Sequence, residues 1–132
     1  MSDTRAVVDE FYRRLAEGAL ESLPELFAEE IDWDIYGSEE VPWVGRRSTR
    51  EEVKEFFTTL PRHLQMQTFS IERVLVDGED AVVFAHMRQI VQATGKPFES
   101  PCAFRFTVVD GKISRYLTYE DSLALARAFT HR

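Results

Sequence analysis

The sequence predicts an α+β fold in which a cone-shaped, strongly bent, mixed or antiparallel sheet wraps around a long N-terminal helix. Apolar residues recur at helical spacing up to about residue 64, and three long runs then alternate as strands do. Strands of about a dozen residues are roughly twice the usual length, and sheets of such strands twist and coil. With helices on one face only, the sheet should enclose a pocket. Glycine turns separate the runs: Asp77-Gly78, Thr94-Gly95 and Asp110-Gly111.

The pattern of the N-terminal part of the sequence predicts two helices and a strand. Residues 4–17 carry one apolar stripe and end at Gly18, which is a natural helix stop. A short second helix, capped by Ser22, should extend to Phe27. Alternation over residues 31–36 predicts the first strand.

Two more helices flank the long strands. After a loop at residues 37–45, a helix should begin at Ser48 or Thr49, because each is followed three residues later by a glutamate. We expect Pro61 to end it. Asp121 is a suitable N-cap for a last short helix.

Composition excludes several classes of function. The 132 residues fit one domain, 1–132, and the net charge of −7 argues against a nucleic-acid partner or an anionic membrane surface. No apolar run approaches the length of a membrane span, and the first residues lack a signal-like apolar core. The single cysteine, Cys102, excludes an internal disulfide and fits a cytoplasmic location. The three histidines lack ligand spacing and no phosphate loop occurs, so we expect no metal and no cofactor.

Three segments of the chain resemble the NTF2-like superfamily, in its SnoaL-like (polyketide-cyclase-like, ketosteroid-isomerase-related) branch. They are VVDEFYRRLAEGALESLPELFAEEIDW, VPWVGRRSTREEVKEFF and VVDGKISRYLTYEDSLALA. The resemblance implies a cone with its pocket between the sheet and the first helix. It also implies a homodimer through the outer sheet face and a chemistry that varies among isomerases, dehydratases, cyclases and hydrolases.

Two catalytic motifs of that superfamily are not intact here. The positions that resemble the tyrosine and two aspartates of ketosteroid isomerases are apolar: Phe11, Ile35 and Phe104. Arg88 resembles the arginine of limonene-type epoxide hydrolases, but its partner positions are Ile90 and Thr118 in place of aspartates. His86 is a loose match to a histidine of scytalone-dehydratase-like enzymes.

Strand parity predicts which side chains line the pocket, because a slip of one residue swaps the faces. In the run 98–108 the inward set is clear: Phe98, Ser100, Cys102, Phe104 and Phe106. At Asp110-Gly111, a strict two-residue loop pairs Phe104 with Leu117 and turns Arg115 and Tyr119 inward. A bulge at Gly111 pairs Phe104 with Thr118 instead and turns in Tyr116, Thr118 and Glu120. Pattern alone mildly favours the first register, and the resemblance favours the second, which we adopt.

A three-residue loop at Thr94-Gly95-Lys96 would place Arg88 opposite Cys102, and Cys102 opposite Glu120. Arg88 and Glu120 then form either a structural ion pair or a carboxylate tuned by a guanidinium for acid–base work. The candidate catalytic residues are therefore Glu120, Arg88 and His86. The expected pocket wall comprises Trp33, Trp43, Tyr12, Tyr116, Thr118, Cys102, Phe104 and Ser100.

Two classes of function remain open. One is a cofactor-independent enzyme that isomerises, dehydrates, cyclises or hydrates a small, mostly apolar substrate. The other is a non-catalytic ligand-binding or dimerisation module of the same fold. A homodimer is expected because the residues predicted to face outward are too apolar for water: Met87, Gln89, Val91, Ala103 and Leu117.

Overall fold

The computed structural model describes residues 3–130. In chain order the elements are α1 (Thr4–Ala16), a 3₁₀ helix (Leu20–Leu26), β1 (Phe27–Ile35), β2 (Gly45–Arg47), α2 (Arg50–His63), β3 (Leu64–Asp77), β4 (Asp80–Val91), β5 (Pro97–Val109), β6 (Lys112–Tyr119) and α3 (Ser122–Phe129).

The six strands form one curled sheet in the order β2-β1-β6-β5-β4-β3. Only β1 and β6 run parallel, and every other neighbouring pair is antiparallel. The helices cover the concave face, where Val8 and Phe11 of α1 and Val53 of α2 are fully buried. The predicted α+β fold with a bent mixed sheet is therefore confirmed.

Most predicted helix limits are correct to within a few residues. Thr49 caps α2 through a complete capping box with Glu52, so Thr49 and not Ser48 is the cap. Pro61 does not end α2, because a proline close to a helix end removes few backbone bonds, and the helix continues to His63. The short second helix is a 3₁₀ helix that stops at Leu26, because Phe27 already begins β1.

The first strand differs from its prediction at both ends. Strand β1 begins at Phe27, four residues before Ile31. The prediction missed this start because residues 28–30 lack the alternating apolar pattern that marks a strand. A short strand, β2, pairs with the C-terminal end of β1 and begins at Gly45, the last residue of the predicted loop.

The β5–β6 hairpin has the register adopted from the resemblance, since Phe104 pairs with Thr118. The bulge that produces this register is not at Gly111. Val109 pairs with Lys112 around a two-residue turn in which Asp110 and Gly111 both have positive φ, 52° and 77°. The extra residue is Ser114, where the register shifts between Thr107 and Val108.

The β4–β5 hairpin does not have the predicted register. Arg88 pairs with Glu99, and Cys102 pairs with Ala85 instead of Arg88. The turn is longer than expected: the Val91 N–H donates to the Lys96 carbonyl, and Gly95, with φ of 76°, ends the turn instead of occupying its centre. The register differs by three residues, and an odd shift exchanges the two faces of β4.

Candidate functional site

Glu120 directly follows strand β6, on the concave side of the sheet with Tyr116 and Thr118. Tyr119 pairs with Ala103, so Glu120 continues the ladder opposite Cys102. Its side chain is partly buried, and within residues 3–130 it forms no hydrogen bond or ion pair. Because burial penalises the charged form, the pKa of Glu120 is raised to about 7. A carboxyl group with this pKa can donate or accept a proton at neutral pH.

The protic side chains near Glu120 stay protonated at neutral pH. Burial raises the pKa of the Cys102 thiol to about 12, with contributions from Glu120 and Glu72. Burial also raises the pKa of the Tyr116 phenol. The pKa of Tyr12 is well above its ordinary value, again chiefly through burial, with contributions from Tyr116 and Cys102. Glu120 is therefore the member of this group whose charge changes near pH 7.

Aromatic rings make this part of the concave face apolar. Tyr12 stacks on Phe69 with ring centroids 5.8 Å apart and meets the edge of Phe104 at 6.4 Å. Phe104 stacks on Tyr116 at 6.0 Å, and Trp33 lies against the Tyr116 ring at 4.5 Å. The predicted wall residues Tyr12, Phe104, Tyr116 and Trp33 thus lie together and make this part of the concave face apolar.

Two buried polar atoms of this region, the Tyr12 hydroxyl and Trp33 Nε1, have no hydrogen-bond partner among the described residues, and Thr118 Oγ1 has none besides the neighbouring Tyr116 hydroxyl. Leaving such a group unsatisfied costs about 1–3 kcal/mol. Native interiors rarely tolerate several of them unless water or a ligand completes the bonds. Water or a bound molecule would have to enter this packed region to complete these bonds.

Ser100 and Cys102, both expected to line the pocket, have protein partners. The Asp121 N–H donates to Ser100 Oγ over 3.0 Å, and Ser100 in turn donates to the Pro101 carbonyl. Cys102 Sγ donates to the Ala85 carbonyl over 3.5 Å. Ser100 thus ties β5 to the segment that carries Glu120 and fixes the position of that residue.

Arg88 and His86 lie on the convex face, against prediction. Arg88 donates to Gln67 over 2.8 Å and pairs with Glu99 over 3.3 Å, and His86 lies 3.4 Å from the same carboxylate. These side chains are about two-fifths exposed, 41% for Arg88 and 39% for His86. The expected pairing of Arg88 with Glu120 is wrong because of the β4–β5 register, and Glu120 has no ion-pair partner among residues 3–130.

The residues of β4 that lie on the concave face in place of Arg88 and His86 were expected to face outward. Met87 and Gln89 are buried at 5% exposure, and Val91 is fully buried. The Gln89 amide donates weakly to Met66 Sδ over 3.8 Å. One signal could have found this face: the odd positions of residues 81–91 carry no charge, whereas His86 and Arg88 occupy even positions.

Trp43 is buried in a different place from the other wall residues. Its ring lies 5.6 Å from that of His63 at the end of α2 and 5.3 Å from that of Phe129 in α3. It borders a surface cleft of about 350 Å³ between α2 and residues 42–47. A second cleft, of about 750 Å³, follows α3 near Lys96 and Arg127. Glu120 lines neither cleft, so a substrate would meet its carboxyl from the exposed side of that residue.

Among residues 3–130, no three His, Cys, Asp or Glu side chains are grouped so that they could hold a metal ion. Over the same range, no helix is long and apolar enough to cross a bilayer.

Residues 8–116 match the family model of the SnoaL-like domain. None of the curated proteins matches the sequence significantly.

Solved structures share the fold at low sequence identity. An NTF2-like protein from Burkholderia xenovorans LB400 is 24% identical with a TM-score of 0.88, covering 97% of this chain and 96% of its own. A candidate isomerase from Bacillus subtilis is 20% identical with a TM-score of 0.82, at 98% and 94% coverage. TerC, co-crystallised with polyporic acid, is 18% identical with a TM-score of 0.83, at 97% and 98% coverage. At these identities the likeness concerns the fold alone.

Proposed function

Because this chain belongs to the SnoaL-like family, we propose that it is a cofactor-independent enzyme in which Glu120 transfers a proton within a small, mostly apolar substrate. The observation that carries the proposal is the carboxyl group itself, which is partly buried, has no ion-pair partner among residues 3–130 and has a pKa raised to about 7. Acid–base catalysis is most effective when the pKa of the catalytic group is close to the working pH.

The neighbouring groups suit a substrate that carries an oxygen atom. The hydroxyl of Tyr12 and Nε1 of Trp33 are donors without protein acceptors, and Thr118 can donate or accept. Such donors stabilise the negative charge that develops on a carbonyl oxygen when a base removes a proton from the adjacent carbon. Glu120 would take that proton and return it elsewhere, as in an isomerisation, dehydration or cyclisation.

Fold relatives support this class of reaction only in general terms. The likeness includes a candidate isomerase and a protein co-crystallised with polyporic acid. The ketosteroid isomerase positions are buried apolar residues here, Phe11, Ile35 and Phe104, so that reaction is not proposed. The epoxide hydrolase relay is not proposed either, since Arg88 lies on the outer face.

One observation favours a second candidate, a non-catalytic ligand-binding module. The aromatic rings beside Glu120 pack closely, and neither surface cleft described above is lined by this residue. A binding module would use the same unpartnered donors without transferring a proton.

A ligand search followed by a turnover assay distinguishes the two candidates. We would screen oxygen-bearing apolar metabolites by thermal shift, where a ligand at 100 times its dissociation constant stabilises by about 2.7 kcal/mol. Each ligand found is then incubated with wild type, Glu120→Gln and Glu39→Gln, and followed by NMR for isomerisation or loss of water. Glu39 is exposed in a loop and serves as the matched control.

The enzyme proposal expects wild type and Glu39→Gln to convert the ligand and Glu120→Gln to bind without converting it, because glutamine cannot accept the proton. Binding without conversion by wild type would contradict the enzyme and support the binding module. Equal conversion by Glu120→Gln would remove Glu120 from the mechanism.

We also propose that the protein works as a homodimer in the cytoplasm. The convex face carries exposed apolar side chains at Phe84 and Tyr119, 41% and 43% exposed, which supports an outer-face dimer. The single buried thiol of Cys102 is compatible with a reducing compartment.

A further inference from the structure

The cleft between α2 and residues 42–47 is separate from the concave face that holds Glu120. Its volume is about 350 Å³, which is the lower end of the range for small-molecule sites. Its lining is mostly polar, with two cationic side chains and two carboxylates at the border, and the buried Trp43 and Phe56 form its apolar part. The lining residues used below are Trp43, Arg46, Arg47, Glu52, Glu55 and Phe56.

Arg47 is held rigidly in the wall of this cleft. Its Nη1 donates to the Trp43 carbonyl over 2.8 Å, and its Cζ lies 5.0 Å from the centroid of the Phe56 ring and 5.7 Å from that of Trp33. Stacking on aromatic rings fixes the plane of a guanidinium without using its N–H donors. The group is therefore oriented in advance for a planar acceptor.

The charge of Arg47 is only partly compensated by the protein. Within residues 3–130 no carboxylate forms a salt bridge with it, although Glu52 and Glu55 act on it from a distance. Glu52 is engaged in the cap of α2, where it accepts from the Ser48 and Thr49 N–H groups. Burial lowers the pKa of Arg47, which is the sign of a cation short of counter-charge.

Arg46 differs from Arg47 although it borders the same cleft. Arg46 pairs with Asp32 over 2.6 Å and with Asp34 over 3.4 Å, so its charge is already neutralised by two carboxylates. The contrast identifies Arg47 as the cation that has donors left for a ligand.

We propose that this cleft binds a small aromatic carboxylate, with the carboxylate on the Arg47 guanidinium and the ring against Trp43 and Phe56. Arginine binds carboxylates in a bidentate geometry that adds specificity as well as energy. The volume admits a molecule of one ring with a short polar group. The site does not depend on the function proposed for Glu120.

The test uses benzoate as the probe and benzamide as its neutral analogue. Binding is followed on the two tryptophan indole N–H signals in NMR spectra of the whole chain, assigned with Trp43→Phe. We expect benzoate to shift the Trp43 signal saturably with a dissociation constant of about 1 mM or tighter, and benzamide to bind at least about tenfold more weakly. Equal binding of the two probes, or no saturable shift with benzoate, would overturn the proposal.

Variants test whether Arg47 itself holds the carboxylate, apart from general effects of net charge and of folding. Arg47→Gln should weaken benzoate binding at least about tenfold, whereas Arg46→Gln should change it less than about twofold. Should Arg47→Gln fail to fold, Glu55→Gln decides, because removing a nearby negative charge from the rim must tighten benzoate binding. Similar losses in the two arginine variants, or no tightening with Glu55→Gln, would overturn the site. Glu120→Gln should bind benzoate as wild type does, whatever its effect on turnover.

Discussion

At the scale of single residues, the environment of Glu120 determines its chemistry. An isolated glutamate titrates far below neutrality, and a nearby cation would lower its pKa further. Here burial is the cause that acts on the carboxyl, and it raises the pKa of Glu120 to about 7. The same burial should be measurable as a dependence of stability on pH.

We predict that Glu120 makes the protein less stable as the pH rises from about 5 to about 8. Between an unfolded pKa of 4.5 and a folded pKa of about 7, the folded state binds more protons than the unfolded state. The contribution of the protonated Glu120 to stability is complete at pH values below both pKa values and lost at pH values above both. It amounts to about 3 kcal/mol at most. Urea unfolding across this range measures it.

The matched variants isolate this effect from the other titrating groups. Glu120→Gln should become more stable relative to wild type as the pH rises, because glutamine acquires no charge in the folded state. Glu39→Gln, an exposed control, should follow the wild-type curve. A constant difference between wild type and Glu120→Gln across the range would contradict the raised pKa.

At the scale of elements, the β4–β5 and β5–β6 hairpins show what sequence patterns can determine. Both turns contain a glycine, and in both the glycine has positive φ. The β5–β6 register followed from a resemblance that covers that hairpin, whereas nothing in the pattern fixed the length of the turn before β5. Gly95 ends a turn that reaches back to Val91, and a sequence alone does not show whether a glycine is central or terminal.

This difference decided which residues were assigned to the correct face of the sheet. Inward positions on β5 and β6 were found, and Tyr116 and Thr118 are buried as expected. On β4 the inward and outward positions were interchanged in the prediction, so Arg88 and His86 were assigned to the wrong face. The unpartnered hydroxyl of Tyr12 could not be predicted, because a missing hydrogen bond is a property of packing and not of the pattern.

We predict stability losses of very different size for two adjacent residues of β4. Met87→Ala should lower the free energy of unfolding by about 2–5 kcal/mol, because Met87 is buried on the concave face. Arg88→Ala should cost less than about 1 kcal/mol, because its ion pair with Glu99 is exposed. Urea unfolding of both variants provides the comparison. A larger loss for Arg88→Ala than for Met87→Ala would mean that the faces of β4 are reversed.

At the scale of the whole molecule, the curled sheet leaves its convex face without covering helices. A row across this face follows the register, with Phe84 opposite Ala103 and Ala103 opposite Tyr119. Tyr119 stacks on Tyr36 with ring centroids 5.6 Å apart. Of the residues expected to face outward, Met87, Gln89 and Val91 face inward instead. Ala103 and Leu117 alternate with inward-facing residues along their strands. An apolar row with charged residues beside it suits an interface with a second copy.

We predict that the protein is a dimer in solution and that Phe84→Glu converts it to a monomer. Two copies related by a twofold axis would bring identical apolar rows together, and a stable interface of standard size buries about 1,600 Å² in total. A glutamate at position 84 would be left buried and unpaired there, whereas in the monomer it replaces a side chain that is already 41% exposed. Light scattering coupled to size-exclusion chromatography measures the mass.

Leu123→Glu is the control, since Leu123 is 59% exposed on α3 and its substitution should leave the dimer intact. A monomeric wild type at micromolar concentration, or a dimer that persists in Phe84→Glu, would exclude this interface.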